Sequence, residues 1–187
     1  VPFYALKSYQ GVGAQLINDQ IGLFTHQRLQ LQYAYQFKLF GGKMALGAQV
    51  GLLSESFDGT RLNLEDSQDP AFFNTKASGN ALDLGTGLYY AHGSWYVGLS
   101  ALHLTSPLIT FNEKNQLQID PTYYLTGGYN IQLRNPFISI IPSVLMRTDG
   151  VTYRGDIRGR LVYSYDKKRM YGGISYSETN TVTLLLG

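Results

Sequence analysis

The sequence predicts an all-β chain, an antiparallel up-and-down transmembrane β-barrel, from its charge-poor composition, its period-two alternation and its alternating long and short connections. Charged residues make up 15% of the chain, well below the roughly 25% of a soluble globular domain. Tyrosine (15) and glycine (21) are abundant, yet hydrophobic residues reach only 44%. A membrane helix needs a stretch of about 20 apolar residues, and the apolar runs here are short, such as 183–186. Membrane strands need be apolar on only one face. The composition fits strands, not helices.

The first run, 9–17, alternates weakly. Residues 28–37 alternate cleanly: Leu29, Leu31, Tyr33, Tyr35 and Phe37 share one face, and Arg28, Gln30, Gln32, Ala34 and Gln36 the other. A helix would mix these sets, whereas a strand separates them. Next, Met44, Leu46, Ala48, Val50 and Leu52 oppose Ala45, Gly47, Gln49 and Gly51. Runs 82–92 and 95–104 follow. Tyr123, Leu125, Tyr129, Ile131 and Leu133 then oppose Tyr124, Thr126, Gly128, Asn130 and Gln132. After run 137–148, Tyr153, Ile157, Leu161, Tyr163 and Tyr165 oppose Arg154, Asp156, Arg158, Arg160 and Ser164. Runs 170–177 and 181–186 complete about ten strands, many near the 9–11 residues that a tilted membrane strand needs.

Tight turns are predicted at Phe40-Gly41-Gly42, His92-Gly93-Ser94, Arg134-Asn135-Pro136 and Asp166-Lys167-Lys168, each with turn chemistry. Between them lie connections 18–24, 58–81, 105–120, 148–150 and 178–180. Every second connection of an up-and-down barrel falls on one side, so the short turns would be periplasmic and the variable set extracellular. A soluble barrel would alternate too. Here the polar face is mostly Gln, Asn, Ser, Thr and Gly, and aromatics (Tyr35, Phe37, Phe40, Tyr89, Tyr90, Trp95, Tyr96, Phe137, Tyr163, Tyr165, Tyr171) gather beside the short turns as an interfacial girdle would. About ten strands also exceed the eight or so of a side-chain-filled barrel. Residues 1–187 read as one transmembrane domain. An open sheet would expose unpaired backbone to hydrocarbon. The chain therefore reads as a mature or truncated piece lacking strands at one or both ends of a larger barrel of about 14.

The sharpest local feature is Arg154, Asp156, Arg158 and Arg160 on one strand face. Facing lipid they would cost roughly 2–4 kcal/mol each at the midplane, so they point into the lumen. There they form either a basic wall for an anionic ligand, plug or partner segment, or an ion-pair network bridged by Asp156. The long connection offers Asp58, Asp66, Asp69, Phe72 and Phe73 as partner-contacting residues. His26 and His103 lie near the outer rim, within the reach of loop carboxylates Asp58, Asp66, Asp69 and Asp120. Nothing in their spacing fixes a nucleophile, base and orienting group, so no catalytic residue is assigned. Asp66-Ser67-Gln68-Asp69 lacks the glycine turn and distal Glu of a calcium loop. The Gly11-Val12-Gly13 and Gly85-Thr86-Gly87 pairs lack the third glycine and the helix of a dinucleotide site. With no cysteine in the chain, no thiolate chemistry is available. No cofactor, metal or nucleic-acid partner is expected, and a net charge of +2 gives nucleic acid little to bind.

Several segments in succession resemble the PorP/SprF family of type IX secretion system membrane proteins: GVGAQLINDQIGLF at 11–24, LQLQYAYQFKLFGGKMALGAQVGLL at 29–53, DPAF at 69–72, DLGTGLYYAHGSWYVGLSALHL at 83–104 and YYLTGGYNIQL at 123–133. The Asn-Pro-Ala segment of the family's mature N-terminus and its closing strands are not seen. The resemblance implies an outer-membrane barrel of Bacteroidota, without enzymatic activity, accessory to export or surface anchoring of a large cargo such as a gliding or adhesion adhesin. Its implied partners are outer-membrane lipid, the cargo's C-terminal signal domain and periplasmic ring or motor components. The polar lumen face alone supports a different expectation, a diffusion channel or porin.

Overall fold

The computed structural model describes residues 1–5, 8–58, 76–110, 116–166 and 168–187. It contains β1 (Pro2–Ala5), β2 (Ser8–Ile21), β3 (Phe24–Leu39), β4 (Gly42–Asp58), β5 (Lys76–His92), β6 (Trp95–Leu102), β7 (Leu108–Thr110), β8 (Gln116–Gln118), β9 (Thr122–Tyr129), β10 (Ile131–Gln132), β11 (Ile138–Thr148), β12 (Tyr153–Tyr165), β13 (Lys168–Ser177) and β14 (Thr181–Leu186). One 12-stranded sheet runs β1-β2-β3-β4-β5-β6-β9-β11-β12-β13-β14, with β10 beside β11, while β7 and β8 form a separate two-stranded sheet. Every pairing is antiparallel and follows chain order, passing over only the β7–β8 pair and the short β10. The edges β1 and β14 do not pair with each other among the described residues, so the ladder is an open wall. No helix in the described residues is long and apolar enough to cross a membrane, a test that strand-built walls escape.

The ten predicted runs each contain a strand, but their limits shift. Residues 18–24, expected as a connection, are strand on either side of the two-residue turn Gly22-Leu23. Gly22 supplies its positive φ of 62°, as a type II′ hairpin requires. Gly93, at φ 56°, does the same before Trp95. Phe40 and Gly41 are both left-handed (φ 46° and 77°), the signs of a type I′ turn. The expected loop 105–120 contains the β7–β8 hairpin. Run 123–133 breaks at Asn130, whose N–H donates to Ser94 O at 2.7 Å.

Register shows why the wall has two chemical faces. Across β2 to β5, Leu16, Leu29, Leu52 and Leu82 form one transverse row, and Ala14, Leu31, Val50 and Leu84 the next. Leu88, Leu99, Leu125 and Met146 continue the same face over β5 to β11. Val144, Ile157, Tyr176 and Val182 carry it to β14. Leu16 is 75% and Ile157 67% exposed, whereas Gln30 is 6% and Asp83 1% exposed on the opposite face. Each large apolar side chain left in water forfeits about 1.5–3 kcal/mol, so a face dominated by them is matched to hydrocarbon.

Beyond the Leu16–Leu29–Leu52–Leu82 row, the same outward face turns polar in a single step, at Asn18, Gln27, Ser54 and Asn80. Strand β3 has 16 residues; at ~3.3 Å each and tilted ~45° it rises roughly 37 Å, more than the ~25 Å apolar band. The β2–β5 tips thus project past the apolar band. Inward-facing glycines (Gly13, Gly47, Gly85, Gly87) open a cavity of about 490 Å³ on the other face, beside Gln32 and Gln49.

Candidate functional site

The inward face of β11–β13 is built from arginine. On β12, Arg154, Asp156, Arg158 and Arg160 alternate with Gly155, Ile157, Gly159 and Leu161, and Ile157 and Leu161 sit on the exposed apolar face. Strand alternation therefore places all four charged side chains on the face opposite the apolar one, the inner face. Register adds Arg147, directly opposite Arg154, and Arg169, opposite the inward Ser164. Asp156 stands opposite Leu145 and Ser177 instead of a cation. Among the described residues no carboxylate lies within 4.0 Å of any of these guanidiniums. An Asp156-bridged ion-pair network is therefore absent there: neighbours on one strand face are two residues apart, roughly 7 Å, too far for a short carboxylate to span without bending toward one of them.

Arg160 lies over the Tyr171 ring at 5.9 Å, a cation–π geometry. The Nε atoms of Arg158 and Arg160 are buried without a hydrogen-bond partner. Two recesses line the strip. One, about 100 Å³, is walled by Asp156, Arg158, Arg160, Thr126 and Ser143. The other, about 190 Å³, is walled by Arg147, Arg154, Thr122, Tyr124 and Asp149. Beside the second, the Asp149 carboxylate accepts from the Val151 and Thr152 N–H groups and the Thr152 hydroxyl. These bonds hold its pKa down at about 2.

Tyr89, Tyr96 and Tyr171, predicted in the interfacial girdle, face inward instead. Tyr89 is opposite Gly98, Tyr96 opposite Gly128 and Tyr171 opposite Val162. Tyr89 and Tyr96 stack at 5.6 Å between centroids, their rings covering glycines that leave the space open. Closeness to a turn says nothing about which face a residue occupies. Tyr35, Phe37, Tyr90, Trp95, Tyr163 and Tyr165 do lie on the apolar face.

At the loop end, two of the histidines pair with strand carboxylates. His26 Nδ1 pairs with Glu55 Oε2, its cross-strand neighbour. His103 Nδ1 lies 3.1 Å from Asp83 Oδ1. Asp83 is inward and 1% exposed, while its outward neighbours Leu82 and Leu84 are 51% and 38% exposed. Its cover therefore lies on the inner side. Strand β7 packs against β5, and Ile109 on β7 is fully buried. The β7–β8 hairpin thus folds over the inner face around the His103–Asp83 pair. His103 takes a left-handed φ of 57° where the chain leaves β6, and Thr105 Oγ1 donates to Leu82 O at 2.8 Å as it folds back. Glu55 and Asp83 escaped the sequence reading, though an acid inside the uncharged run LDLGTGL was a signal. Asp58 belongs to β4, opposite Lys76, and not to a loop; its N–H donates to Leu23 O at 3.0 Å. Asp66, Asp69, Phe72 and Phe73, and the 66–69 segment weighed for calcium, lie outside the described residues.

An all-antiparallel wall with lipid-matched residues outside and arginine inside is the setting in which the comparison with known proteins counts. The family described as type IX secretion system membrane protein PorP/SprF matches residues 3–187. The chain belongs to the PorP/SprF family. The match runs from within β1 to the end of β14, and the family is one of membrane proteins. No curated protein matches the chain. Within the PorP/SprF frame, the arginine strip, the His26–Glu55 pair and the hairpin-covered His103–Asp83 pair are places among the described residues where this wall departs from plain polar lining.

Proposed function

We propose that the protein is an outer-membrane β-barrel accessory to type IX secretion, serving the export or surface anchoring of a large cargo protein such as a gliding or adhesion adhesin. The observation that carries this reading is the family match over 3–187 on a wall whose outward rows are apolar and whose inward rows are polar. The work proposed is binding and not chemistry. Lipid grips the outer face, and the inner face or the loop-side rim receives the cargo's C-terminal signal domain. Periplasmic ring or motor components are the proposed contacts on the turn side. No role for nucleic acid is proposed. Co-purification of the intact protein from native membranes should bring down a large secreted cargo or secretion components. Recovery of the barrel alone, with export unchanged on deletion, would overturn the reading.

A second reading, a diffusion channel, has one observation in its favour: the uncharged cavity of about 490 Å³ lined by Gly13, Gln32, Gly47, Gln49, Gly85 and Gly87. The β7–β8 hairpin on the inner face counts against free passage. Stable conductance in planar bilayers, with selectivity altered by charge reversal at Arg158 and Arg160, would favour the channel; a silent bilayer would exclude it.

A further inference from the structure

We propose that the inward arginines of β11–β13 form a track for an extended acidic segment of a partner polypeptide. The proposal rests on the reading above only in assigning this face to the lumen. Arg147 and Arg154 face each other across the ladder, and like charges directly opposite destabilise a sheet. Nothing among the described residues compensates them, nor Arg158, Arg160 or Arg169, within ion-pair distance. The Nε atoms of Arg158 and Arg160 are withdrawn from solvent without an acceptor, and an unmade bond to a buried charged donor is costly. An incoming anion would remove both penalties at once.

The shape of the strip selects the class of anion. From Arg154 to Arg160 the charges extend over roughly 20 Å of strand, with a repeat of roughly 7 Å where they stand two residues apart. A single small anion can meet only part of that length. An extended peptide with acids at every second position has the same repeat, because its own side chains alternate. Its other side chains would point away from the wall. Ser143 and Tyr124 line the recesses between the guanidiniums and offer hydroxyls to the same carboxylates, whereas the Thr126 and Thr122 hydroxyls already donate to Val144 O and Asp120 O. Asp156 interrupts the run, so the matching segment carries a neutral or basic residue at that point.

The intact protein in lipid nanodiscs tests this with a synthetic peptide of about a dozen residues alternating Glu and Ser, with one Gln in place of the Glu that would face Asp156, long enough to cover the strip. A peptide of the same composition with its Glu residues contiguous, and inorganic phosphate, serve as competitors. The alternating peptide should bind in preference to both. Arg158→Gln with Arg160→Gln should weaken it about tenfold or more, the scale of one lost charge-assisted bond. Equal binding of the contiguous peptide, full displacement by phosphate, or unchanged affinity in the double variant overturns the track. Should the double variant not fold, Arg154→Gln, on an exposed side chain, decides alone: an unchanged affinity sinks the proposal and a several-fold loss supports it. Cargo co-purification is scored separately, so loss of the track with cargo retained leaves the proposed function standing.

Discussion

Asp149 shows how a single side chain closes a connection of this wall. Its carboxylate ties the Val151 and Thr152 amides and the Thr152 hydroxyl into the turn between β11 and β12. Because these bonds favour the charged form, its pKa is lowered from the usual carboxylate range to about 2. The sign follows: the tie is intact above the unfolded value near 4 and is lost as pH falls through about 2. Carboxyl-carbon NMR of the protein in micelles should therefore show Asp149 titrating near 2; a midpoint near 4 would mean the bonds are not kept. Gly173 is the second decisive residue. A Cβ there would sit 2.6 Å from the Gly159 carbonyl oxygen and 2.9 Å from Arg160 Cγ. Gly173→Ala should destabilise the folded wall by about 1–3 kcal/mol, the scale of overpacking, measured by urea unfolding in vesicles. An unchanged midpoint would contradict the close approach of β12 and β13. That Arg154, Asp156, Arg158 and Arg160 share one strand face was legible in the sequence, because alternation fixes facing within a strand. It did not identify Arg147 or Arg169 as their neighbours, since only register decides what stands opposite.

Among elements, the β7–β8 hairpin is the piece the sequence could not supply. Its strands are 3 residues each, too short for a period to be read in a polar stretch. Its packing over Asp83 makes a prediction of its own. Asp83→Ala leaves His103 beside a buried gap and should cost about 1–3 kcal/mol. A thiol reagent should then reach a cysteine at position 109 faster than in the parent carrying the same cysteine. Equal labelling rates would show that the hairpin is held by something other than this pair. The misplaced limits of β2 and β3 have a different cause. Asn18, Asp19 and Gln20 are as polar as a loop, yet their backbone stays in the ladder up to Ile21. Polarity there reports that the strands have left hydrocarbon, not that they have ended.

For the whole molecule, the assignment of faces is open to direct measurement. Fluorescent probes at Leu31 and Leu52 should be quenched by lipids brominated in their chains, while probes at Gln32 and Ser54 should not. Leu52 and Ser54 share one face, so their contrast locates the edge of the apolar band as well as its side. Quenching at Gln32 with none at Leu31 would invert the wall and remove the lumen on which the arginine track depends. The all-antiparallel order was legible in the sequence because long and short connections alternate through the chain. The cavity on the inner face was not, because it depends on which glycines meet across strands, as Gly47 and Gly87 do.

The two-residue hairpins have a consequence for assembly. Phe40-Gly41 and Gly93-Ser94 return the chain almost within a strand width, and the register of Tyr165 with Lys168 keeps the β12–β13 reversal as short. That rim is nearly flush, with little loop mass to serve as a handhold. Machinery approaching from there would find its purchase on the bulkier β9–β11 passage, where Arg134 is exposed and Asn135 receives the Phe137 N–H at 3.0 Å.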